Sequence, residues 1–259
     1  GAIAVGRDPR KSSPRIKDAL FKGLSVSGAQ LFDEGICPIP AMCWLQKQPD
    51  IAGTIMITGS HIAPKLNGLK FFALDEEITK EHEAEIEKIY NSLASKGETL
   101  QAYAGTNAIA ETRAQELYKQ MLKSQAGGLK RMKVVVDCAN GAQSVVIPNL
   151  LRDLGMDVIE VNCDATSNFI GRDTDTDDKA FIDDLKVVVV HEKAALGIAF
   201  DGDGDRSVFI DEQGNFVLGE YSCSLIAKNE PGDTIVTTIA ASSVVDAIGK
   251  KVVRTKVGS

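Results

Sequence analysis

The chain has 259 residues, 44% hydrophobic and 25% charged, proportions of an ordinary globular protein with room for two domains or one large one, which excludes a disordered chain. A formal charge of -7 argues against nucleic acid or an anionic membrane as the main partner, and no apolar run approaches the roughly 20 residues of a membrane span. The five cysteines (Cys37, Cys43, Cys138, Cys163, Cys223) are scattered, odd in number and without a CxxC pair, which fits reduced thiols in a cytoplasmic protein.

The opening residues carry no signal-peptide pattern, and a first strand over 2–5 begins so early that native residues are expected upstream. That strand ends at Gly6-Arg7-Asp8-Pro9-Arg10. A helix follows, with Ser12 or Ser13 as cap, Pro14 in its first turn, and Ile16, Leu20 and Leu24 on one face. Arg7 and Arg10 at a strand end could meet an anion, although a solvated turn explains them as simply.

A β-rich run over 53–58 breaks at Gly59, and a small polar segment runs on to Pro64. Asn67-Gly68 is a turn signal, and a second apolar strand begins at Leu69. Ser60 therefore sits at a loop tip where its hydroxyl can be presented to a ligand. The G-x-S-x-G elbow of an α/β-hydrolase is absent, and three histidines (His61, His82, His191) give a Ser-His-Asp triad little support. A serine that carries a phosphoryl group, beside a metal and a lysine, fits better.

An amphipathic helix is expected over 78–95 with Ile78, Ile86, Ile89 and Leu93 inward, and a second over 108–125 leading to the linker Gly127-Gly128. A valine-rich buried strand over 132–137 then opens a new unit. Asn140-Gly141 starts a helix through Leu154, Gly155 closes it, and residues 156–161 form the next strand. This βαβ rhythm predicts a mainly parallel sheet with helices around it. The acidic run Asp173-Thr174-Asp175-Thr176-Asp177-Asp178 lacks glycines and reads as a helix start rather than a metal site. Val187 to Val190 has strand propensity but is assigned to the end of a buried helix.

Two apolar strands, 196–200 and 207–210, flank Asp201-Gly202-Asp203-Gly204-Asp205-Arg206. Alternating glycines let the backbone curl until the three carboxylates converge, and three hard oxygen donors suit Mg²⁺ rather than zinc. An EF-hand competes, since Glu212 is twelfth from Asp201, but Arg206 stands where that loop needs Gly and the flanks are strands. An acidic surface turn would hardly supply three Asp at this spacing. Beyond lie a hairpin turn at 211–215, a helix over 219–228 and a boundary at Pro231-Gly232-Asp233. A third unit then begins with a strand over 234–239, a helix over 242–248 and a strand over 251–257.

Thr58-Gly59-Ser60-His61…Pro64…Asn67-Gly68-Leu69-Lys70 resembles the phosphoserine loop of the α-D-phosphohexomutases, which comprise phosphoglucomutases, phosphomannomutases and phosphoglucosamine mutases. The Asp201–Arg206 segment resembles that family's metal loop, and Gly6-Arg7-Asp8 its early strand-end motif, in the family's order. Ile62 departs from the Asn that many members carry after Ser-His. The resemblance implies consecutive α/β domains, each a mixed, mainly parallel sheet with helices around it: 1–126 with the phosphoserine loop, 127–230 with the metal loop, and 231–259 as the start of a third. It implies that Ser60 is the phosphorylated nucleophile, that Asp201, Asp203 and Asp205 hold one Mg²⁺ together with the Ser60 phosphate, and that hexose 1,6-bisphosphate is the activator.

Further roles follow from the same resemblance. Lys70 would stand near the transferring phosphoryl group, Arg206 would help hold the phosphate or the attacking hydroxyl, and His61 would support Ser60; Arg7 and Asn67 are candidate phosphate contacts. The plainer readings are an exposed lysine beginning a strand and a hydrogen-bonded loop histidine. The implied activity interconverts hexose 1-phosphate and hexose 6-phosphate of mannose or glucose; the alternatives are a phosphoglucosamine mutase or a non-catalytic sugar-phosphate and Mg²⁺ binding module. Sugar phosphates are the expected partners, with no nucleic acid or membrane, and a homodimer stays open. The family has four domains, so the chain is expected to be a fragment of little activity alone.

Overall fold

A computed structural model describes residues 1–74, 76–95, 108–165, 176 and 179–257. The chain is a mixed α/β protein built on two main sheets. In the first, β1 (Ala2–Arg7) lies between β2 (Gln30–Ile36) and β3 (Ile51–Thr58), parallel to both. β4 (Gly68–Ala73) and β5 (Glu76–Glu77) add antiparallel at one edge, and the short β6 (Ile109–Ala110) adds parallel at the other. Ala4 and Val5 are buried because helices cover both faces, as central parallel strands require. The helices are α1 (Ser13–Ser25), α2 (Ile39–Gln46), α3 (Lys80–Ser95) and α4 (Arg113–Gln125).

The second sheet has β7 (Lys133–Asp137) between β8 (Asp157–Val161) and β9 (Leu196–Phe200), all parallel. β10 (Ser207–Asp211) and β11 (Phe216–Val217) extend it antiparallel. α5 (Ile147–Asp153) and α6 (Lys179–Glu192) complete the unit, and α7 (Gly219–Asn229) follows β11. Gly155 closes α5 at φ +85°, a left-handed position that favours glycine. A parallel pair, β12 (Thr234–Thr238) and β13 (Lys251–Thr255), ends the described chain.

One core joins the two sheets. Met42 and Leu45 of α2 and Met56 of β3 pack in the same cluster as Val134 and Val136 of β7 and Val146 at the start of α5. In each sheet the chain leaves a central strand toward opposite sides, and the crevice beyond the carboxyl ends of such strands is where ligands bind in open α/β sheets.

Several expectations need correction. α3 begins at Lys80 rather than 78, and Ile86, Ile89 and Leu93 are exposed, while Ile78 is half-buried ahead of the helix. The apolar period marks a stripe, but no described element covers it. The helix expected from 108 starts only at Arg113, because Ile109 and Ala110 pair with β2 instead. The helix expected over 140–154 is divided: a 3₁₀ turn over Ala142–Val145 precedes α5, and Ala139 and Asn140 take positive φ. Residues 242–248 are likewise a 3₁₀ turn (Ser243–Ile248), with Ser242 accepting from the Val244 N–H. Val187 to Val190 is helical, though only Val189 of the four is fully buried and Val187 and Val190 are exposed. The acidic run at 173–178 lies outside the described residues apart from Thr176, which is buried.

Candidate active site

Three chain segments meet at the carboxyl ends of β1, β3 and β9. The first is Asp8-Pro9-Arg10, all three residues buried. Arg10 has five N–H donors, and all find acceptors: Nε on Asp8 Oδ2 at 2.8 Å, Nη1 on the carbonyls of Ala63 (2.8 Å) and Leu66 (3.0 Å), and Nη2 on those of Ser60 (2.8 Å) and Ile62 (3.0 Å). No donor is left for an external anion, so the reading of Arg10 as an anion contact is corrected. The guanidinium instead ties down the loop that carries Ser60. Gly59 makes room for it, since a Cβ there would stand 2.6 Å from Arg10 Cζ.

The second segment is that loop. Ser60 takes φ +48°, and its N–H donates to Thr58 Oγ1 at 2.8 Å. The Thr58 hydroxyl stands 2.9 Å from Asp8 Oδ2 and 3.0 Å from Asp203 Oδ2, so its single hydrogen serves one carboxylate at a time. Ser60 Oγ lies 3.4 Å from His61 Nδ1 and 3.4 Å from Asp201 Oδ2. Asn67 turns away to the start of α1, donating to Ser12 Oγ (2.9 Å) and Ser13 Oγ (3.0 Å), while its Oδ1 accepts from Gly68 N–H.

The third segment is the acidic loop between β9 and β10. Asp201 Oδ1 accepts from the N–H groups of Gly204 (3.0 Å) and Arg206 (3.2 Å), which curls the backbone around it. One carboxylate oxygen each from Asp201, Asp203 and Asp205 lies within 4.8 Å of the others. Burial, then the charges of Asp203 and Asp205, push the Asp201 carboxyl up to about 8. Burial and Asp205 raise Asp203 as well. Asp203 Oδ1 is buried and has no hydrogen-bond partner among the described residues, an orphan acceptor on a residue of the cluster. An orphaned oxygen and three mutually repelling carboxylates are what a hard divalent cation would satisfy, so the donor set fits one.

Lys70 Nζ, from β4, lies 3.3 Å from Asp203 Oδ2 and 3.1 Å from Asp205 Oδ2. Burial pulls its ammonium down, but the two carboxylates outweigh that and hold it above the ordinary lysine value. Arg206 is bound to Asp201 through its backbone; its guanidinium is exposed and its charge offsets part of the rise at Asp201. Arg7 is half-buried at the end of β1, and its buried Nε has no hydrogen-bond partner; no hydrogen bond among the described residues links it to Ser60 or the acidic cluster. The structure thus brings together Ser60, His61, Lys70 and the three Asp.

Sequence reasoning missed the supports: Asp8, Thr58, and Gln143, whose Nε2 donates to the Gly204 carbonyl at 2.9 Å. Ile39 also ties in, donating its N–H to the Asp203 carbonyl at 3.0 Å. Asp8 and Thr58 stand inside motifs that the sequence offers, but nothing local marks their roles, and Gln143 carries no signal.

Residues 1–97 match the family model for phosphoglucomutase/phosphomannomutase alpha/beta/alpha domain I, and residues 114–214 match that for domain II. A phosphoglucomutase/phosphomannomutase of Thermococcus kodakarensis is 37% identical over 99% of this chain and 58% of its own length. A probable phosphoglucosamine mutase of Methanocella arvoryzae is 34% identical over 99% of this chain and 58% of its own. Among solved structures, a phosphoglucomutase/phosphomannomutase family protein from Burkholderia thailandensis superposes with a TM-score of 0.82 at 24% identity, over 99% of this chain and 58% of that one. A structure described as a putative phosphomannomutase from Thermus thermophilus gives 0.81 at 23%, over 100% and 61%. At these identities the structural matches establish the fold. The chain spans a little over half the length of the curated relatives it matches, and none of its described helices is long and apolar enough to cross a membrane.

Proposed function

Because the chain belongs to the phosphoglucomutase/phosphomannomutase family, we propose that it carries the phosphoryl-transfer half of a phosphohexomutase active site. Ser60 is the nucleophile, and its phosphorylated form passes the phosphoryl group to a hexose phosphate. In that step the bond from phosphorus to Ser60 Oγ breaks, a bond to the sugar hydroxyl forms, and the hydroxyl proton ends on Ser60 Oγ. The hexose 1,6-bisphosphate so formed returns its other phosphate to Ser60, and the net result moves phosphate between C1 and C6. The observation that carries this reading is the approach of Ser60 Oγ to within 3.4 Å of Asp201 Oδ2, beside the carboxylate cluster and Lys70.

Each residue has a task in this scheme. Arg10 and Thr58 hold the Ser60 loop, so the hydroxyl is positioned before substrate arrives. Lys70 stays an ammonium and offers its charge to the phosphoryl oxygens as negative charge spreads over them. Arg206 contributes a second exposed cation, and His61 supports Ser60 from 3.4 Å. Asp201, Asp203 and Asp205 would hold Mg²⁺, which supplies Lewis-acid neutralisation of the transferring group. Glucose, mannose and glucosamine phosphates are the substrate candidates, since relatives at 34–37% identity carry names for all three.

Incubating the protein with glucose 1,6-bisphosphate and Mg²⁺ and mapping it by peptide mass spectrometry tests the reading. One phosphoryl group on Ser60, absent from Ser60→Ala, is expected. Failure to label Ser60 both in this chain and in one extended to its relatives' length would sink it.

A further inference from the structure

Between Asp201 and Asp205 the acidic loop carries three main-chain carbonyls as well as its carboxylates. Each of these carbonyls accepts a hydrogen bond from outside the loop. The Ala142 N–H donates to the Gly202 carbonyl at 2.9 Å, the Ile39 N–H to the Asp203 carbonyl at 3.0 Å, and Gln143 Nε2 to the Gly204 carbonyl at 2.9 Å. The donors come from both halves of the molecule. Ile39 opens α2, while Ala142 and Gln143 lie in the 3₁₀ turn that follows β7.

These donors are themselves held in place. Ile39, Ala142 and Gln143 are all buried, Gln143 to 1% exposure. The 3₁₀ turn also lies tight against the loop. A Cβ on Gly141 would stand 2.6 Å from the Gly202 carbonyl oxygen, and one on Gly204 would stand 2.4 Å from Gln143 Cγ. Turn and loop therefore keep one fixed separation, and the three hydrogen bonds hold the carbonyls in the directions the structure shows.

Hard divalent cations differ in what they ask of a backbone. Ca²⁺ takes about six to eight oxygen ligands and recruits main-chain carbonyls among them, whereas Mg²⁺ demands a tight octahedron and keeps several of its waters. An EF-hand, whose spacing the Asp-Gly alternation partly matches, gives Ca²⁺ a carbonyl of its own loop in this way. In this loop a carbonyl that turned toward a cation would abandon its N–H donor, and a buried donor left unpaired is costly.

Resting on the reading of Asp201, Asp203 and Asp205 as an Mg²⁺ site, we propose that Gln143, with the N–H groups of Ala142 and Ile39, withholds the loop carbonyls and so selects Mg²⁺ over Ca²⁺. Gln143 is a positioning residue in this scheme, since it acts through the Gly204 carbonyl. It is also the one donor of the three that belongs to a side chain, so a substitution there releases a carbonyl without altering the backbone. Once released, the Gly204 carbonyl can turn toward the carboxylates and offer an added oxygen. An ion that needs many oxygens gains from that, and one that completes its shell with water does not.

The test titrates the whole chain with MgCl₂ and with CaCl₂ by calorimetry, counting only the heat that Asp205→Asn removes. The unmodified protein is expected to bind Mg²⁺ at least as tightly as Ca²⁺. Gln143→Met keeps the side-chain length and removes the donor. It is expected to shift the ratio of the two Kd values toward Ca²⁺ by about fivefold, the factor that one hydrogen bond is worth. A Gln143 that served stability alone would weaken both ions equally, so an unchanged ratio overturns the proposal. Tighter binding of Ca²⁺ than of Mg²⁺ by the unmodified chain overturns it too, and that result needs no variant to fold. Either failure leaves the Mg²⁺ site standing, whereas the absence of any heat that Asp205→Asn removes overturns the site and the selectivity together.

Discussion

Arg10 is the residue on which the Ser60 loop depends, because its five N–H groups meet four loop carbonyls and Asp8. Replacing it by Met would leave those carbonyls without a donor and Asp8 as a buried, uncompensated carboxylate. Arg10→Met is predicted to cost about 3–5 kcal/mol in urea unfolding, the range for breaking a buried pair; a loss below about 1 kcal/mol would show that water replaces the guanidinium. Gly204 gives a sharper probe of the acidic loop. It sits at φ +73°, and a Cβ there would lie 2.4 Å from Gln143 Cγ. Gly204→Ala is therefore expected to weaken Mn²⁺ binding about tenfold or more by calorimetry, since backbone strain of this kind costs roughly 1–3 kcal/mol. Unchanged affinity would mean that the loop adjusts freely. At this scale the sequence was most readable where chemistry is local: the Asp-Gly alternation and Ser60 announce themselves within a few residues. Asp8, Thr58 and Arg10 did not, because a buried polar network has the composition of a solvated turn, and the partners of Arg10 lie more than 50 residues away for Ile62, Ala63 and Leu66.

Among the elements, β2 and α4 are joined by Glu34, a fully buried carboxylate that accepts from the Ala114 N–H at 2.9 Å, in the first turn of α4. Burial raises its pKa above 4.5, against the smaller lowering by the Ala114 hydrogen bond. The folded protein thus holds this proton more tightly than the unfolded chain does. The resulting stability is fully present below about pH 4.5 and is lost as pH rises through the folded value. Glu34→Gln keeps an acceptor and abolishes the titration, so its Tm should fall less than the parent's between about pH 4 and pH 7. Parallel Tm curves would contradict this. Element by element, the apolar periods located β1, β3, α1, β7 and β9 within a residue or two. β2 and α2 gave no usable pattern: Gln30–Ile36 mixes two acidic residues into a strand, and Ile39–Gln46 is apolar on every side, as suits a helix packed between two sheets. α3 shows the converse, a clear stripe whose covering surface no period can reveal.

At the scale of the molecule, the two sheets share a core that includes Met42 and Leu45 from α2 and Val134 and Val136 from β7. Trp44, the single tryptophan, sits on α2 within this region, so its fluorescence should follow the whole. Urea unfolding monitored by Trp44 and by far-UV circular dichroism is predicted to give coincident midpoints. Separate transitions would show that the sheets unfold independently. The βαβ rhythm made two such sheets legible from sequence, whereas their shared core was not, because contacts across it have no sequence period.

Asp203 bears on how such a protein can change over generations. Its carboxylate receives Thr58 and Lys70, and its carbonyl receives the Ile39 N–H, so three contacts to residues of the first sheet's half of the chain converge on one residue of the other. A gene crossover near residue 126 would bring together halves that had never been selected side by side. Recombinants between diverged lineages should therefore carry matched residues at 58, 70 and 203, whose side chains meet, as a linked set inherited as one unit despite the distance between them in the chain.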